Sequence, residues 1–538
     1  MRCSPATMLF LLLSPFAVGA GEPLHQQIDR FITAGVPDFA KKSAGSASDA
    51  EFLRRVTLDL AGTTPSHAET RAFLDDKDSA RRAKLIDTLL ASPGYGRRMT
   101  QFFDVMLMER RRDAKVSRAN WETFLRASID ANKPYDEMVR EILSADGVDA
   151  AKRGPAKFYL DRDGEVQAIT RDIGRLFLGR NMQCAQCHDS PLVDDYKQEH
   201  YYGIQAFLNR TTMFPNANVA TAVLGEKAEG EISFTSVFDA TKAQKSTLPK
   251  MPGGKAISEP KFEKGKEYKV APTAATVRPV PNFSRREQLA GAITASPSFD
   301  RNTANRLWAM MMGRGLVHPL DLDHSDNPPS HPELLDLLAR EFAEHRFDVK
   351  YLLREIALSQ AYQRSSELSA DAGQLPEDRY LIAILKPLSA EQLAYATMQA
   401  TGFTDSVRQS LKAPTDAAMQ ASLSAQVPAF VKMFAAAPGQ PEDDFETKLD
   451  QTLFLKYNQA IRGLISVRPG SLLDRTIKLT DPAARANELF LGIFNRPATA
   501  DEKKEIADMM KNAKNPPEEA LGEIIWAMLA SAEFRFNH

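Results

Sequence analysis

Cys184, Cys187 and His188 stand in the run Gly179-Arg180-Asn181-Met182-Gln183-Cys184-Ala185-Gln186-Cys187-His188. Two thiols about one helical turn apart, followed at once by an imidazole, form the arrangement that attaches a c-type haem. The thiols add across two vinyl groups and the histidine reaches the iron as proximal ligand. Two other chemistries suit a C-x-x-C spacing. A disulfide or thiol redox pair is one, although a thioredoxin-like site expects a preceding strand in a βαβ context and the flanking pattern here is helical. A zinc site is the other, and it needs further ligands where only His200 lies nearby in the chain. One covalent haem c on Cys184 and Cys187, with His188 on the iron, is the leading expectation.

A sixth ligand is less determined by type and spacing. Met251, in Leu248-Pro249-Lys250-Met251-Pro252-Gly253-Gly254, sits in a Met-Pro loop of the kind that offers a thioether to iron and raises the potential. His331, in Ser330-His331-Pro332-Glu333, is the second distal candidate, although a helix start with proline in its first turn explains the same residues. His318, His324 and His200 are further alternatives, and an open position would admit peroxide or another small ligand. Asp321-Leu322-Asp323-His324-Ser325-Asp326 begins like a calcium loop but lacks the glycine at its sixth position, and Pro332 occupies the twelfth. Serine-hydrolase, Walker, dinucleotide and H-E-x-x-H zinc motifs are missing from the chain, so the hydrolase and nucleotide-binding classes have no residues to rest on.

The elements that must position these residues read as mainly α. Residues 1–20 resemble a cleavable signal peptide, with Arg2, an apolar Met8–Phe16 and the small residues Val18-Gly19-Ala20 before the expected cut. This apolar run is too short to span a bilayer, so a periplasmic or secreted product is expected, and Cys3 is removed with the leader. The chain has 538 residues, 43% hydrophobic and 26% charged, enough for several domains without disulfide staples. Its 68 basic and 70 acidic side chains nearly cancel, so no global field points to nucleic acid or an anionic membrane. Arg110-Arg111-Arg112 reads as a solvated helix face.

An N-terminal helical domain is expected over 21–214, a β-containing insert over 215–284 and a C-terminal helical domain over 285–538. Ser48-x-x-Glu51 and Ser66-x-x-Glu69 are capping boxes, and apolar residues at three- and four-residue spacing mark helices at 80–91, 99–110, 121–132 and 135–144. The insert loses this periodicity, gains Pro, Gly and Lys, and alternates like a strand at Glu231–Thr235. Helices resume near Arg285 and continue through 302–312, 332–343, 349–359 and 390–401. Two distant segments echo each other: Leu60-Ala61-Gly62-Thr63-Thr64-Pro65-Ser66 with Glu69, and Phe494-Asn495-Arg496-Pro497-Ala498-Thr499 with Glu502. Ser92, Ser296, Ser359 and Ser531 each precede an aromatic residue by three positions.

Several of these runs resemble a known group, the large exported proteins abundant in planctomycetes that pair two domains of unknown function, often beside a cytochrome c module. Phe52-Leu53-Arg54-Arg55-Val56-Thr57-Leu58-Asp59-Leu60, Leu89–Gly96, Pro134-Tyr135-Asp136 and Cys184–Asp189 followed by Tyr201-Tyr202-Gly203 resemble the first domain. Asn305-Arg306-Leu307-Trp308, Gly313–Val317, Ser330–Leu335 and Glu533-Phe534-x-x-Asn537-His538 resemble the second. The resemblance implies an exported, haem-bearing chain with an exported sulfatase-like protein as a candidate partner. Ser190 stands where such proteins carry a second histidine, and the separate cytochrome module is missing, which leaves one attachment site. Taken together, the expectation is an exported mono-haem c-type protein of electron transfer. The alternatives are a haem-free scaffold or partner-binding protein with a Cys184–Cys187 disulfide, and a peroxidase-like haem enzyme.

Overall fold

The structure is a computed structural model that describes residues 21–214, 222–367, 375–411, 414–441 and 448–538. The leader read at 1–20 lies outside the described residues, as does the start of the insert at 215–221. Helices dominate, and strands occur among the described residues only as four two-stranded antiparallel ladders. The fold is therefore mainly α, as its periodicity requires. Helix Tyr135–Ser144 has the bounds read from its pattern, and Val349–Leu358 and Ala390–Ala400 end one residue early.

Capping chemistry explains why the boundaries fall where they do. Ser66 with Glu69 and Thr499 with Glu502 form complete capping boxes, each side chain accepting from the other residue's backbone N–H. Ser48 accepts from Glu51 N but receives no reciprocal bond, because the Glu51 carboxylate is drawn away to Arg55 and to the backbone N–H of Ser366. Ser92, Ser359 and Ser531 accept the N–H of Tyr95, Tyr362 and Phe534, three residues on, while Ser296 accepts from Ser298. In all four cases the aromatic ring is buried. At Ser92, Ser296 and Ser531 the serine satisfies an otherwise unpaired donor of a new helix, and the ring anchors its first turn; at Ser359 the same pairing closes the turn after helix Val349–Leu358.

The two echoed segments lie against each other. Gly62 and Asn495 take the same left-handed conformation, φ 70° and 62°, to end one helix before the next capped one begins. Asn495 Nδ2 then donates to the Pro65 carbonyl at 3.0 Å and to Thr70 Oγ1 at 3.3 Å.

Buried apolar side chains form two cores. One gathers residues from Leu24 to Tyr380, and the other gathers Leu388 to Phe534 together with Leu58. Packing thus divides the chain near 380–388, so the helices between Arg285 and Tyr362 share a core with the N-terminal helices. Helix Asp49–Ala61 spans the divide, and every residue from Phe52 to Ala61 is buried. Such a helix has no solvated face on which to put its charges. Arg54 instead donates to the carbonyls of Ile493 and Phe534 and to Asn495 Oδ1, while Arg55 donates to the carbonyls of Tyr362, Arg364 and His538. The Asp59 carboxylate accepts from Lys386 Nζ at 2.6 and 2.7 Å, from the Tyr362 hydroxyl at 2.8 Å and from Asn537 Nδ2 at 2.8 Å. Lys386 also donates to the carbonyls of Met310 and Met311, which end helix Pro297–Met312, a favourable place for a cation.

The insert is ordered by pairing and by charge. Its ladders join Thr211–Phe214 to Val223–Glu226, Ile232–Phe234 to Lys245–Thr247 and Tyr268–Val270 to Val280–Pro281. Arg285, at the start of helix Arg285–Thr294, reaches back to Glu231 at 2.8 Å and to Glu259. The Glu226 carboxylate accepts from the Ser284 hydroxyl and from Arg285 N.

Two stability measurements follow. Asp59→Ala leaves the Lys386 ammonium buried without its carboxylate, which should cost about 3–5 kcal/mol in urea unfolding; a loss below about 1 kcal/mol would assign Asp59 no such role. Glu488 sits 2.8 Å from His67 Nε2 and accepts from Arg475 Nε at 2.7 Å. Burial raises its carboxyl pKa, but the bonds from His67 and Arg475 outweigh burial and hold it at about 2, against an ordinary 4.5. A depressed folded value contributes stability that is complete above about pH 4.5 and is lost as pH falls toward 2. Glu488→Gln should therefore flatten the acid limb of the stability curve in that window and lower stability at pH 7; an unchanged acid limb would refute the assignment.

Candidate functional site

Helix Val166–Leu178 delivers the cysteine turn. It ends on Gly179 at φ 69°, where a Cβ would stand 2.9 Å from Asn302 Oδ1, so both conformation and space call for glycine. The chain then runs antiparallel to 321–323: Asn181 N donates to the Asp321 carbonyl at 2.7 Å and Asp323 N to the Gly179 carbonyl at 2.9 Å. Cys184–Gln186 follows as a 3-10 turn. Residues three apart on such a turn lie on one side. Met182 and Ala185, both buried, face the core, and Cys184 and Cys187 are left as free, exposed thiols.

His188 is half-buried, and its ring is oriented from two directions. Nδ1 donates to the Asp189 carbonyl at 2.7 Å, which leaves the lone pair of a neutral imidazole on Nε2. The Phe238 ring packs against it with centroids 4.3 Å apart. The Asp189 carboxylate accepts from Gln198 N at 2.8 Å and so caps helix Gln198–Leu208, whose own N-cap Lys197 has no capping side chain. Ser190 Oγ accepts from Leu192 N and Val193 N, which makes this position a turn-former.

The insert closes over the outer side of the motif. Val237 N donates to the Cys187 carbonyl at 3.0 Å, and Gln198 Nε2 donates to the Thr235 carbonyl. Tyr202 donates to the Gln186 carbonyl at 2.8 Å and stacks on Phe234 at 4.3 Å with planes 3° apart. Val237, Phe238 and Leu192 remain 66%, 70% and 83% exposed, an apolar ledge beside the thiols. Alternation at 231–235 announces Phe234 in the sequence. Phe238 carries no comparable signal, since its role depends on how the ladder folds back.

The distal candidates take different places. The Met251 loop lies on helix Gln198–Leu208, where Lys250 N donates to the Gly203 carbonyl at 3.2 Å, one residue from the tyrosine that holds the cysteine turn. Its backbone is a tight turn, Gly254 N donating to the Met251 carbonyl. His331 is 6% exposed, packed at a tilt near Tyr380, bonded at Nδ1 to Ser330 Oγ, and its Nε2 faces Gly35. Burial lowers its pKa. His200 donates to the Asp195 carbonyl, His324 packs on Tyr196, and His318 is exposed. Among the described residues no group of three or more His, Cys, Asp or Glu is arranged to hold a metal ion. The motif itself has what covalent haem attachment requires of the chain: two accessible thiols on one side of a turn and an adjacent imidazole with Nε2 available.

Beneath the turn, helix Val166–Leu178 is clamped by charge. Asp172 is fully buried and meets Arg162 at 2.7 Å, Arg111 at 3.1 Å and Arg171 at 3.1 Å. Burial raises its pKa, and the arginines outweigh burial and hold it at about 2. Arg175 spans Glu109 and Asp321. The arginine run expected as a solvated face is corrected here: the helix ends at Met108, Glu109 and Arg110 take positive φ, and Arg110 turns inward to Glu391 while Arg111 joins Asp172. Arg112 alone of the three is exposed. No described helix is long and apolar enough to cross a membrane.

Comparison with protein families finds two matches. Residues 27–213 match PSCyt2, a protein of unknown function (DUF1549), and residues 285–510 match PSD1, a protein of unknown function (DUF1553). The chain thus carries paired domains of unknown function, and the cysteine turn falls inside the first. Neither the curated proteins nor the solved structures contain a match.

Asp189→Ala removes the cap of helix Gln198–Leu208 and should cost about 1 kcal/mol. Hydrogen exchange is expected to accelerate first at Gln198–Tyr202; unchanged protection there would show that the carboxylate does not hold this helix start.

Proposed function

From the premise that this chain joins a DUF1549 domain to a DUF1553 domain, we propose that it is an exported protein carrying one covalent haem c and passing single electrons. The observation that carries this reading is the pairing of two exposed thiols on one side of a turn with an adjacent histidine whose Nδ1 is already engaged. Cys184 and Cys187 would hold the haem, each thiol giving its sulfur to one carbon of a vinyl group and its hydrogen to the other, so that no oxidant would be required. His188 is the proximal ligand, and the bond from its Nδ1 to the Asp189 carbonyl fixes the tautomer and makes Nε2 a stronger donor. The haem, when bound, supplies a one-electron couple. Phe238 and Val237 shield one side of His188 and of the Cys187 backbone from water.

Met251 is the favoured distal ligand because its loop and the cysteine turn share helix Gln198–Leu208. His331, enclosed by Tyr380, Ser330 and Gly35, shares no such element with the cysteine turn. Attachment outside the cytoplasm agrees with the expected leader, and the redox partner belongs in the same compartment; an exported sulfatase-like protein is one candidate. The competing reading is a haem-free scaffold in which the neighbouring exposed thiols form a Cys184–Cys187 disulfide.

Expression with the leader intact, alongside haem-attachment machinery and a control cytochrome, separates the two. The expected product keeps one haem per chain on a denaturing gel stained for haem, and Cys184→Ser combined with Cys187→Ser removes the signal while circular dichroism stays unchanged. Wild-type protein without covalent haem, in cells where the control matures, would overturn the proposal.

A further inference from the structure

Lys386, Asp59 and Asn537 form a buried triad that the fold needs only in part. Strand Lys386–Pro387 pairs antiparallel with Phe536–Asn537, and Lys386 stands directly opposite Asn537. Residues so paired share one face, with Cβ atoms about 4.5–5.5 Å apart. Asp59, on helix Asp49–Ala61, meets both side chains: its Oδ1 accepts from Lys386 Nζ at 2.6 Å and from Asn537 Nδ2 at 2.8 Å, so amine and amide converge on a single oxygen. The Tyr362 hydroxyl holds Oδ2 at 2.8 Å, and the Met310 and Met311 carbonyls fix Nζ at 3.2 and 2.6 Å. Asp59 and Asn537 are each 2% exposed, and the Lys386 side chain 14%.

An ion pair alone accounts for Lys386 and Asp59. It does not account for Asn537, whose Oδ1 is buried without a hydrogen-bond partner, which leaves an amide carbonyl unbonded beside an amine. Burial pushes the Lys386 ammonium below its ordinary value while Asp59 opposes the shift. The desolvation that favours a neutral amine favours a neutral carboxyl as well, so proton transfer between the two is eased by the site itself.

We propose that this triad closes an intramolecular isopeptide bond between Lys386 and Asn537, with Asp59 as the proton carrier. Asp59 takes one proton from the Lys386 ammonium, and the freed lone pair forms a bond from Nζ to Cγ of Asn537. A second Nζ proton passes through the carboxyl to Nδ2, the Cγ–Nδ2 bond breaks with its electron pair staying on nitrogen, and ammonia leaves. Ammonia then takes up the first proton, which regenerates the Asp59 carboxylate. No electrons are gained or lost, and holding the three groups together supplies the proximity that an amine and an unactivated amide require. Because Lys386 precedes the second core and Asn537 follows it, the bond clasps that core without a cysteine. The cysteine turn takes no part, so the outcome is independent of haem.

Tryptic digestion and mass spectrometry of the folded full chain test this. Wild type is expected to yield Tyr380–Arg408 joined to Phe536–His538 as one species, lighter by one ammonia than the two peptides together. Asn537→Ala removes the electrophile but keeps the Lys386–Asp59 pair, and Asp59→Asn keeps the shape but carries no proton; each is expected to leave the peptides separate. Wild type that gives only separate peptides of full mass sinks the proposal. So does a species lighter by one water in which Lys386 is joined to Asp59, or joining undiminished in Asp59→Asn. The wild-type masses decide even where a variant fails to fold.

Discussion

The structure depends on placing three charged side chains in a helix that has no solvated face. Arg54, Arg55 and Asp59 project from a segment buried along ten consecutive residues, where an uncompensated charge would be prohibitive. Each is met by groups distant in sequence: Arg54 by the carbonyls near 493 and 534, Arg55 by those of Tyr362 and Arg364, and Asp59 by Lys386. Satisfying the helix therefore requires that those segments already be in place. Burial lowers the Arg54 pKa to about 10, yet leaves it charged at neutral pH, so the carbonyl cage is obligatory. Backbone carbonyls surround both arginines, joined by Asn495 Oδ1 on Arg54 and by the Glu51 carboxylate on Arg55, so the geometry depends on the fold as well as on these two side chains.

This arrangement explains why the two family domains do not behave as separate bodies. The helix lies within the first domain, and most of its partners lie in or after the second. Leu58 extends the same coupling into apolar packing, being the one residue before 388 among the described members of the second core. The echoed turns reinforce it: one ends in Gly62, the other in Asn495, and the asparagine side chain crosses to the first turn. A positive φ admits either residue, but only asparagine also supplies a donor.

What could be read from the sequence was what is local. Helix ends followed from serine and threonine caps, from the left-handed glycine and from the period of the apolar residues, because each requires only neighbours within one turn. Helix 135–144 and the strand at 232–234 were legible on that basis. Arg110 and Arg111 were not, since an arginine run on a helix and one rolled off its end into internal ion pairs look alike in sequence. The packing boundary near 380–388 was hidden for the same reason: periodicity identifies a buried face without naming what covers it. At the site, Cys184, Cys187, His188 and their common turn were legible from spacing, whereas the cap made by Asp189 and the ring of Phe238 depend on the return of the chain at 198 and at 237.

The turn itself is asymmetric in its support, and this bears on how it would hold a prosthetic group. On the inner side Met182 and Ala185 are locked into the core, the preceding helix is clamped at Asp172, and the backbone is paired to 321–323. On the outer side the cover is the connection that follows strand Ile232–Phe234: Ile232 and Phe234 are buried, but Val237 and Phe238 remain largely in solvent. At about 25 cal/mol per Å² of apolar surface removed from water, a ledge that meets only one side of a large planar group recovers only part of the gain of a closed pocket. Retention there would have to come from bonds that do not depend on enclosure, and under the proposed reading the two thiols on the clamped side would provide them. Under the proposed reading the stiffness belongs to the anchors and the adaptability to the cover. The connection at Val237 and Phe238, which touches Cys187 and His188, can then accommodate a bulky group without disturbing the core from which the cysteines project.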